Sequence, residues 1–296
     1  ATLSDTVESS ALKIGSRGSQ LALTQANLVR DLLLAHHPSL SVEIVIIQTR
    51  GDVTAGSLRA MGGQGLFTAE IERALLDGRI DLAVHSLKDL GTAPDTDLEL
   101  VASPPREDVR DVLIVPAGGF DDLAPNACLG TDSPRRQAQL RRLRPDLRFA
   151  SIRGNIDTRL AKVGDGRYDG IVLAAAALHR LGWRDRISAY FEPDQVVPAA
   201  GQAALGLQMR RDDERQVLVR ALNDAPTFAA VSAERACMRG LGGGCSAPIG
   251  TWARWEKDTL VLDALVGSLD GSQILRAAHS QDHSPNSSQD SSDPQA

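Results

Sequence analysis

The chain has 296 residues, of which 42% are hydrophobic, 24% are charged and 3% are aromatic. This length suffices for two or three domains. Apolar stretches such as residues 170–178 are much shorter than the roughly 20 residues that a membrane-spanning helix needs. The three cysteines, Cys128, Cys237 and Cys245, are too widely spaced for a disulfide framework or a zinc site. We therefore expect a soluble, cytoplasmic protein.

The first half of the chain alternates short apolar runs with segments of helical periodicity. This pattern predicts strands at 12–16, 41–48 and 81–86 and helices at 19–36 and 67–76. The strands are almost continuously apolar, which is typical of a parallel sheet covered by helices on both faces. The first unit is therefore predicted to be an α/β domain.

A second unit repeats the same alternation. Its strands are predicted at 111–115, 127–131, 147–152 and 170–174, with helices from residue 133 and over 155–163. Asp132 or Ser133 is suited to cap the first of these helices, and Pro134 to stand in its first turn. Two similar α/β units in tandem predict a molecule of two lobes with a cleft between them.

The remaining chain has a different pattern. Helical segments are predicted at 202–208, 212–223 and 226–241, and three antiparallel strands follow, joined by short turns. This combination predicts a small α+β domain. Residues 279–296 are polar and without periodicity, and are predicted to be disordered.

Four polar turns stand at the ends of predicted parallel strands, the edge where open α/β sheets bind their ligands. They contain Arg17 and Ser19, then Lys88 and Asp89, then residues 130–137, and finally residues 153–159. Each arginine alone is typical of a solvated turn, and the overall excess of arginine, 28 of 32 basic residues, also fits a genome-composition bias. Their repetition beside helix N-termini favours anion binding.

Cys245 lies in a glycine-rich loop, GLGGGCSAPIG, between a predicted helix and a predicted strand. Bare backbone around the thiol lets a bulky group approach it. A thiolate there suits either a nucleophile or a covalent attachment point. No cysteine–histidine pair is apparent in the sequence, so attachment is the favoured interpretation.

The motifs, in order, closely resemble the porphobilinogen deaminase family. They extend from about residue 13 to about residue 276 and include GSRGSQLALTQ, DLAVHSLKD, REDVRD, GTDSPRRQ, RGNIDTRL, PAAGQAALG and AERACMRGLGGGCSAPIG. The ordered set is much more specific than any single motif. Three positions depart from the family pattern: Ala60 and Gln64 stand where lysines are usual, and Gly91 where proline is usual.

The resemblance implies a transferase of tetrapyrrole biosynthesis. Such an enzyme carries a dipyrromethane cofactor on a cysteine, here Cys245, and adds four porphobilinogen molecules head to tail with loss of ammonia. The implied fold has two lobes of the periplasmic-binding-protein type (type II), at 1–104 plus 203–223 and at 105–202. A third, small α+β domain at 224–278 carries Cys245. A monomer without a metal, membrane or nucleic-acid partner is expected.

The resemblance also implies roles for individual residues. Asp89 matches the catalytic aspartate of the family. The residues implied to hold the cofactor, besides Cys245, are Lys88, Ser133, Arg135, Arg136 and Arg159. Those implied to bind the incoming substrate are Arg17, Ser19, Arg153 and Arg180.

Two other functions remain as alternatives at this point. A two-lobed α/β chain with arginine-rich turns is also typical of a solute-binding protein for a dicarboxylate, although such binding does not require Cys245. A catalytically impaired family member is the second alternative. A nucleic-acid surface around residues 133–148 is not favoured, because the chain has a net charge of −6 and few aromatic residues.

Overall fold

A computed structural model describes residues 11–48, 68–243 and 247–282. Ala60, Gln64, Cys245 and residues 283–296 lie outside these ranges. Among the described helices, none has the length and apolar character needed to cross a membrane.

The first lobe is built on a sheet with the strand order β2-β1-β3-β10-β4. Its strands are β1 (Leu12–Ser16), β2 (Val42–Ile46), β3 (Leu82–Ser86), β4 (Leu98–Ala102) and β10 (Leu205–Arg210). The helices α1 (Gln20–His36) and α2 (Ala69–Leu76) follow β1 and β2, respectively, in the predicted alternation. The strand β1 is parallel to both β2 and β3, as predicted.

The strand β10 corrects the sequence prediction in two ways. Residues 202–208 were expected to be helical, and the sheet was expected to be parallel throughout. Instead, β10 is antiparallel to both of its neighbours, β3 and β4. Its first five residues are all buried, so the sequence carries neither the alternation of a half-buried strand nor a helical stripe.

The second lobe has the sheet order β7-β6-β8-β5-β9. Its elements are β5 (Asp111–Ile114), β6 (Cys128–Gly130), α3 (Pro134–Leu143), β7 (Arg148–Ala150), α4 (Ile156–Gly164), β8 (Gly170–Ala174), α5 (Ala175–Arg180) and β9 (Ala189–Phe191). The strand β6 is parallel to β7 and β8, whereas β5 is antiparallel to β8 and β9. The two predicted α/β lobes are confirmed, each with one antiparallel crossover strand inside the sheet.

The third part combines one long helix with three strands. A short helix, α6 (Gln216–Arg220), precedes α7 (Ala225–Gly240). The three-stranded antiparallel sheet is formed by β11 (Ile249–Glu256), β12 (Thr259–Gly267) and β13 (Ile274–Asp282). The predicted hairpins are confirmed. The predicted disorder is wrong for residues 279–282, which pair with Thr259–Leu262 of β12.

A buried ion pair joins this third part to the lobes. Glu234 of α7 is fully buried and binds Arg106 through two bonds, Nη1–Oε1 at 2.7 Å and Nη2–Oε2 at 2.9 Å. The same carboxylate accepts the backbone N–H groups of Gly201 at 2.7 Å and of Ala253 at 2.7 Å. The Glu234 carboxylate therefore joins the third part to Arg106 and Gly201, which lie near the two ends of the second lobe.

Candidate active site at the junction of the lobes

The turn after β3 carries Lys88 and Asp89. A single 3₁₀ turn, Leu87–Asp89, follows the strand directly. Leu87 is fully buried, and its N–H donates to the carbonyl oxygen of Ala204 at 3.0 Å. Asp89 is exposed and Lys88 is half-buried. Leu87 therefore anchors the turn while the Asp89 carboxylate remains accessible.

The N-terminus of α3 supplies the facing groups of the second lobe. Ser133 caps this helix, and its Oγ accepts the Arg136 N–H at 3.4 Å. Arg135 and Arg136 point inward and are both buried. Arg135 Nη1 lies 2.6 Å from Asp111 Oδ2, and Arg136 Nη2 lies 2.7 Å from Asp111 Oδ1. One carboxylate at the start of β5 therefore serves two guanidinium groups.

The two guanidinium groups favour the ionised form of this carboxylate. Burial by itself would raise the pKa of Asp111, but Arg135 and Arg136 hold the pKa well below its usual range. Since two cations share one anion, the group as a whole keeps a net positive charge. A buried net charge is costly unless a further partner compensates it.

Gln202 connects the two lobes at this point. Its side chain is fully buried, and Nε2 donates to the Val109 carbonyl oxygen at 2.7 Å and to Asp111 Oδ1 at 3.1 Å. Its Oε1 accepts from Lys88 Nζ at 3.5 Å. Gln202 therefore brings the Lys88 turn of the first lobe to the arginine pair of the second.

The backbone around Gln202 is unusual. Ala203 has φ of 70°, in the left-handed region that an alanine rarely adopts. In this conformation its carbonyl oxygen accepts Arg180 Nη2 at 2.6 Å. Burial lowers the pKa of Arg180 to about 10, although Glu107 acts in the opposite direction. The crossover turn therefore holds one of the arginines predicted to bind substrate.

The cationic cluster consists of Lys88, Arg135, Arg136 and Arg159. Burial, followed by the charge of Arg136, lowers the pKa of Lys88 to about 8, and Asp89 opposes this shift. Burial and Arg136 also lower the pKa of Arg159, whereas Asp132 and Asp89 raise it. The structure thus brings Asp89 and the four predicted cofactor-binding cations together, from both lobes.

The remaining predicted residues stand at the same strand edges. Arg17 follows β1, and Ser19 caps α1 by accepting the Ala22 N–H at 3.3 Å. Since β1 and β3 are parallel neighbours, both residues are at the edge that carries Lys88. Arg153 is exposed and follows β7, which is parallel to β6 and therefore shares the edge of Ser133.

Sequence reasoning missed Asp111 and Gln202. Asp111 opens an otherwise apolar strand, DVLI, and a carboxylate in that position is a signal of a buried partner. Gln202 was assigned to a helix, so its role as a bridge between the lobes was not apparent. No group of three or more metal-ligating side chains occurs within the described ranges.

These features define a class: a two-lobed α/β protein with a cluster of cationic side chains at the lobe junction. The model of the porphobilinogen deaminase dipyrromethane cofactor-binding domain matches residues 12–217, and that of the C-terminal domain matches residues 228–291. The chain belongs to the porphobilinogen deaminase family. The hypothesis of a dicarboxylate-binding protein is not favoured by this match.

Individual relatives agree with the family assignment. A porphobilinogen deaminase of Syntrophobacter fumaroxidans is 46% identical over 270 residues, covering 90% of this chain and 87% of the relative. One from Bordetella parapertussis is 49% identical over 270 residues, covering 90% and 86%. Among solved structures, the periplasmic VFT2 domain of Bordetella pertussis BvgS has a TM-score of 0.45 at 14% identity, covering 78% of this chain and 92% of that domain.

Proposed function

We propose that the protein is a hydroxymethylbilane synthase that condenses four porphobilinogen molecules head to tail, releases one ammonia for each, and finally frees the linear product with water. Membership of the family, whose matched domain binds dipyrromethane, supports this activity. The observation that carries the proposal is the cationic cluster, which gathers from two lobes around the accessible Asp89. A cytoplasmic monomer is part of the same proposal.

The residues of the cluster fit the cofactor. Each pyrrole ring carries an acetate and a propionate, and Arg135 and Arg136 share a single protein carboxylate. The positive charge left over suits carboxylates from a ligand, because guanidinium groups bind them through two hydrogen bonds. We assign Lys88, Ser133, Arg135, Arg136 and Arg159 to the cofactor, with Cys245 as the covalent attachment point. When bound, the dipyrromethane supplies the pyrrole carbon to which the first substrate is added.

The chain's own residues perform the remaining work. In each cycle the bond between the aminomethyl carbon of porphobilinogen and its nitrogen breaks and ammonia leaves. The free α-carbon of the terminal pyrrole then attacks the methylene carbon, a carbon–carbon bond forms, and the attacking ring carbon loses a proton. Asp89 stabilises the positive charge that develops on the substrate and accepts or returns protons. The positive charges of Lys88 and Arg159 lie within electrostatic reach of the Asp89 carboxylate.

Substrate binding is assigned to the outer part of the same site. Arg17, Ser19, Arg153 and Arg180 would bind the acetate and propionate of the incoming porphobilinogen. Arg180 is supported most directly, because the Ala203 carbonyl oxygen orients its guanidinium. The assignment of the other three is supported by their position at ligand-binding strand edges.

The test combines intact mass with product analysis. Purified protein should exceed the mass of its bare polypeptide by one dipyrromethane, and should release one ammonia for every porphobilinogen consumed. A Cys245→Ser variant should lose both the added mass and the turnover. Wild-type protein that carries the dipyrromethane but releases no ammonia would contradict the proposed function.

A further inference from the structure

One face of α7 packs against the turn that carries Asp89. Val231, Arg235 and Arg239 are spaced four residues apart and therefore share this face. Val231 is fully buried in a cluster with Leu87 and Leu90. The helix of the third part thus shares one apolar cluster with the first residue of the Leu87–Asp89 turn and with the residue that follows the turn.

Two arginines on this face bind three successive backbone carbonyl groups. Arg235 donates from Nη1 to the Leu90 oxygen at 3.0 Å and from Nη2 to the Gly91 oxygen at 2.5 Å. Arg239 donates from Nη1 to the Thr92 oxygen at 3.1 Å. Carbonyls that directly follow Asp89 are therefore fixed from outside the first lobe by charge-assisted bonds.

This arrangement places two like charges side by side. Burial and the charge of the neighbouring Arg239 both lower the pKa of Arg235. Like-charged pairs four residues apart destabilise a helix. Helix stability therefore does not explain the pair, whereas a common target in the carbonyl row does.

The segment that follows the turn begins with Gly91, which contributes little stiffness to the backbone. Gly91 occupies a position where the porphobilinogen deaminase family usually has proline. No neighbouring heavy atom lies within 4 Å of the position that a Cβ on this residue would take. Glycine leaves the backbone more freedom than any other residue. Rigidity behind Asp89 must therefore come from contacts made by other parts of the chain.

We infer that Arg235 and Arg239 are positioning residues that hold Asp89 in its reactive orientation from α7, and that they supply the stiffness which Gly91 does not. The inference rests on the proposed role of Asp89. It also implies that α7, the helix that precedes the Cys245 loop, supports the turn that carries Asp89.

The first experiment compares Arg235→Met with Arg211→Met in the cofactor-loaded protein. Arg211 is a matched control, since it donates to the carbonyl oxygens of Asp95, Thr96 and Leu98 at 3.2, 3.0 and 3.3 Å, farther along the same loop. For Arg235→Met we expect kcat to fall about 10- to 100-fold, with KM changed less than about threefold. For Arg211→Met we expect kcat to stay within about twofold of wild type.

The second experiment restores stiffness locally. Leu90 has φ of −80° and ψ of 130°, the extended conformation that a following proline requires. Gly91→Pro introduced into Arg235→Met should recover at least about threefold in kcat, whereas Gly91→Ala in the same background should recover less. If proline raises the melting temperature of Arg235→Met without raising kcat, the positioning role is contradicted.

Hydrogen exchange provides a readout that does not depend on turnover. Arg235→Met should accelerate amide exchange in a peptide spanning residues 87–92 by about tenfold, and Arg239→Met should do so to a smaller extent. Unchanged exchange and unchanged kcat would overturn the inference. If wild-type protein releases no ammonia, the proposed function fails, and the exchange data still decide whether the arginines order the turn.

Discussion

Asp111 and Glu234 are both fully buried carboxylates, and the comparison of their surroundings separates a ligand site from a structural joint. Glu234 meets one guanidinium, that of Arg106, and two backbone N–H groups. Asp111 meets two guanidiniums, and Lys88 lies within its electrostatic reach. The group formed by Glu234 and Arg106 is therefore neutral, whereas the group formed by Asp111, Arg135 and Arg136 carries a net positive charge.

This difference shows that the net charge around a buried carboxylate distinguishes a ligand site from a structural contact better than burial does. A buried ion pair that is complete needs no other molecule, because each charge has its partner and the spare lone pairs have donors. A buried group with surplus positive charge is complete only when an anion joins it. The site at Asp111 therefore has the charge of a receptor for carboxylates, and the joint at Glu234 does not.

The largest expected effect comes from the accessible acid beside the cationic cluster. Asp89→Asn keeps the size of the side chain but removes its charge and its capacity to accept protons. We expect ammonia release to fall by about 10²- to 10⁴-fold. Intact mass should show the cofactor largely retained, because the residues assigned to hold it are unchanged.

A matched control is Asp132→Asn. Asp132 is also exposed and also raises the pKa of Arg159, yet it belongs to the helix start of the second lobe. Its substitution should lower turnover by less than about tenfold. Equal losses for the two aspartates would show that Asp89 contributes only its charge.

The second effect tests the neutral joint. Glu234→Gln leaves the Arg106 guanidinium buried without its counter-charge, so we expect the free energy of unfolding to fall by about 3–5 kcal/mol in urea titrations. Glu256→Gln removes a carboxylate from a partly exposed pair with Arg254, 2.7 Å apart. That control should cost less than about 1 kcal/mol. Similar losses for both would erase the distinction between a buried joint and a surface pair.

The smallest expected effect concerns the free energy of unfolding, which the charge of Lys88 in the cationic cluster lowers. The pKa of Lys88 in the folded protein is about 8, below its ordinary value of 10.5. The folded state therefore holds this proton less tightly than the unfolded state. The resulting penalty is present in full below pH 8 and disappears as the pH rises toward 10.5.

Lys88→Met should accordingly stabilise the apoprotein. We expect the free energy of unfolding to rise by about 1–3 kcal/mol at pH 7, with the gain shrinking toward pH 10. Lys13, which is exposed on β1, supplies the control Lys13→Met, with an expected change within about 0.5 kcal/mol. A gain that does not depend on pH would show that the charge of Lys88 is not its source.

Much of the fold was predictable from local pattern. Apolar strands, helix caps such as Ser19 and Ser133, and the hairpins of the third part each leave a signal within a few residues. The crossover strand β10 leaves none, because its partners in β3 and β4 lie more than 100 positions earlier in the chain and its first five residues are all buried. Its assignment depends on tertiary contacts that periodicity does not record.

In the candidate site, too, residues with a local sequence signal were predicted and residues that act through long-range contacts were not. Motif resemblance predicted Lys88, Asp89, Arg135, Arg136 and Arg159, and the structure brings these residues together. The groups that organise them were not predicted, because Asp111, Gln202 and Arg235 act over large sequence separations. Gln202, for instance, meets Lys88 across 114 positions of the chain.

The strand order of the first sheet has a consequence for synthesis on the ribosome. Among the residues that the structure describes, β4 is hydrogen-bonded only to β10, whose last residue is Arg210. The second sheet, in contrast, draws all its strands from residues 111–191. The lobe in the middle of the chain can thus complete its sheet before the N-terminal lobe does, so the nascent protein presents an open edge on β3 until residue 210 has left the exit tunnel.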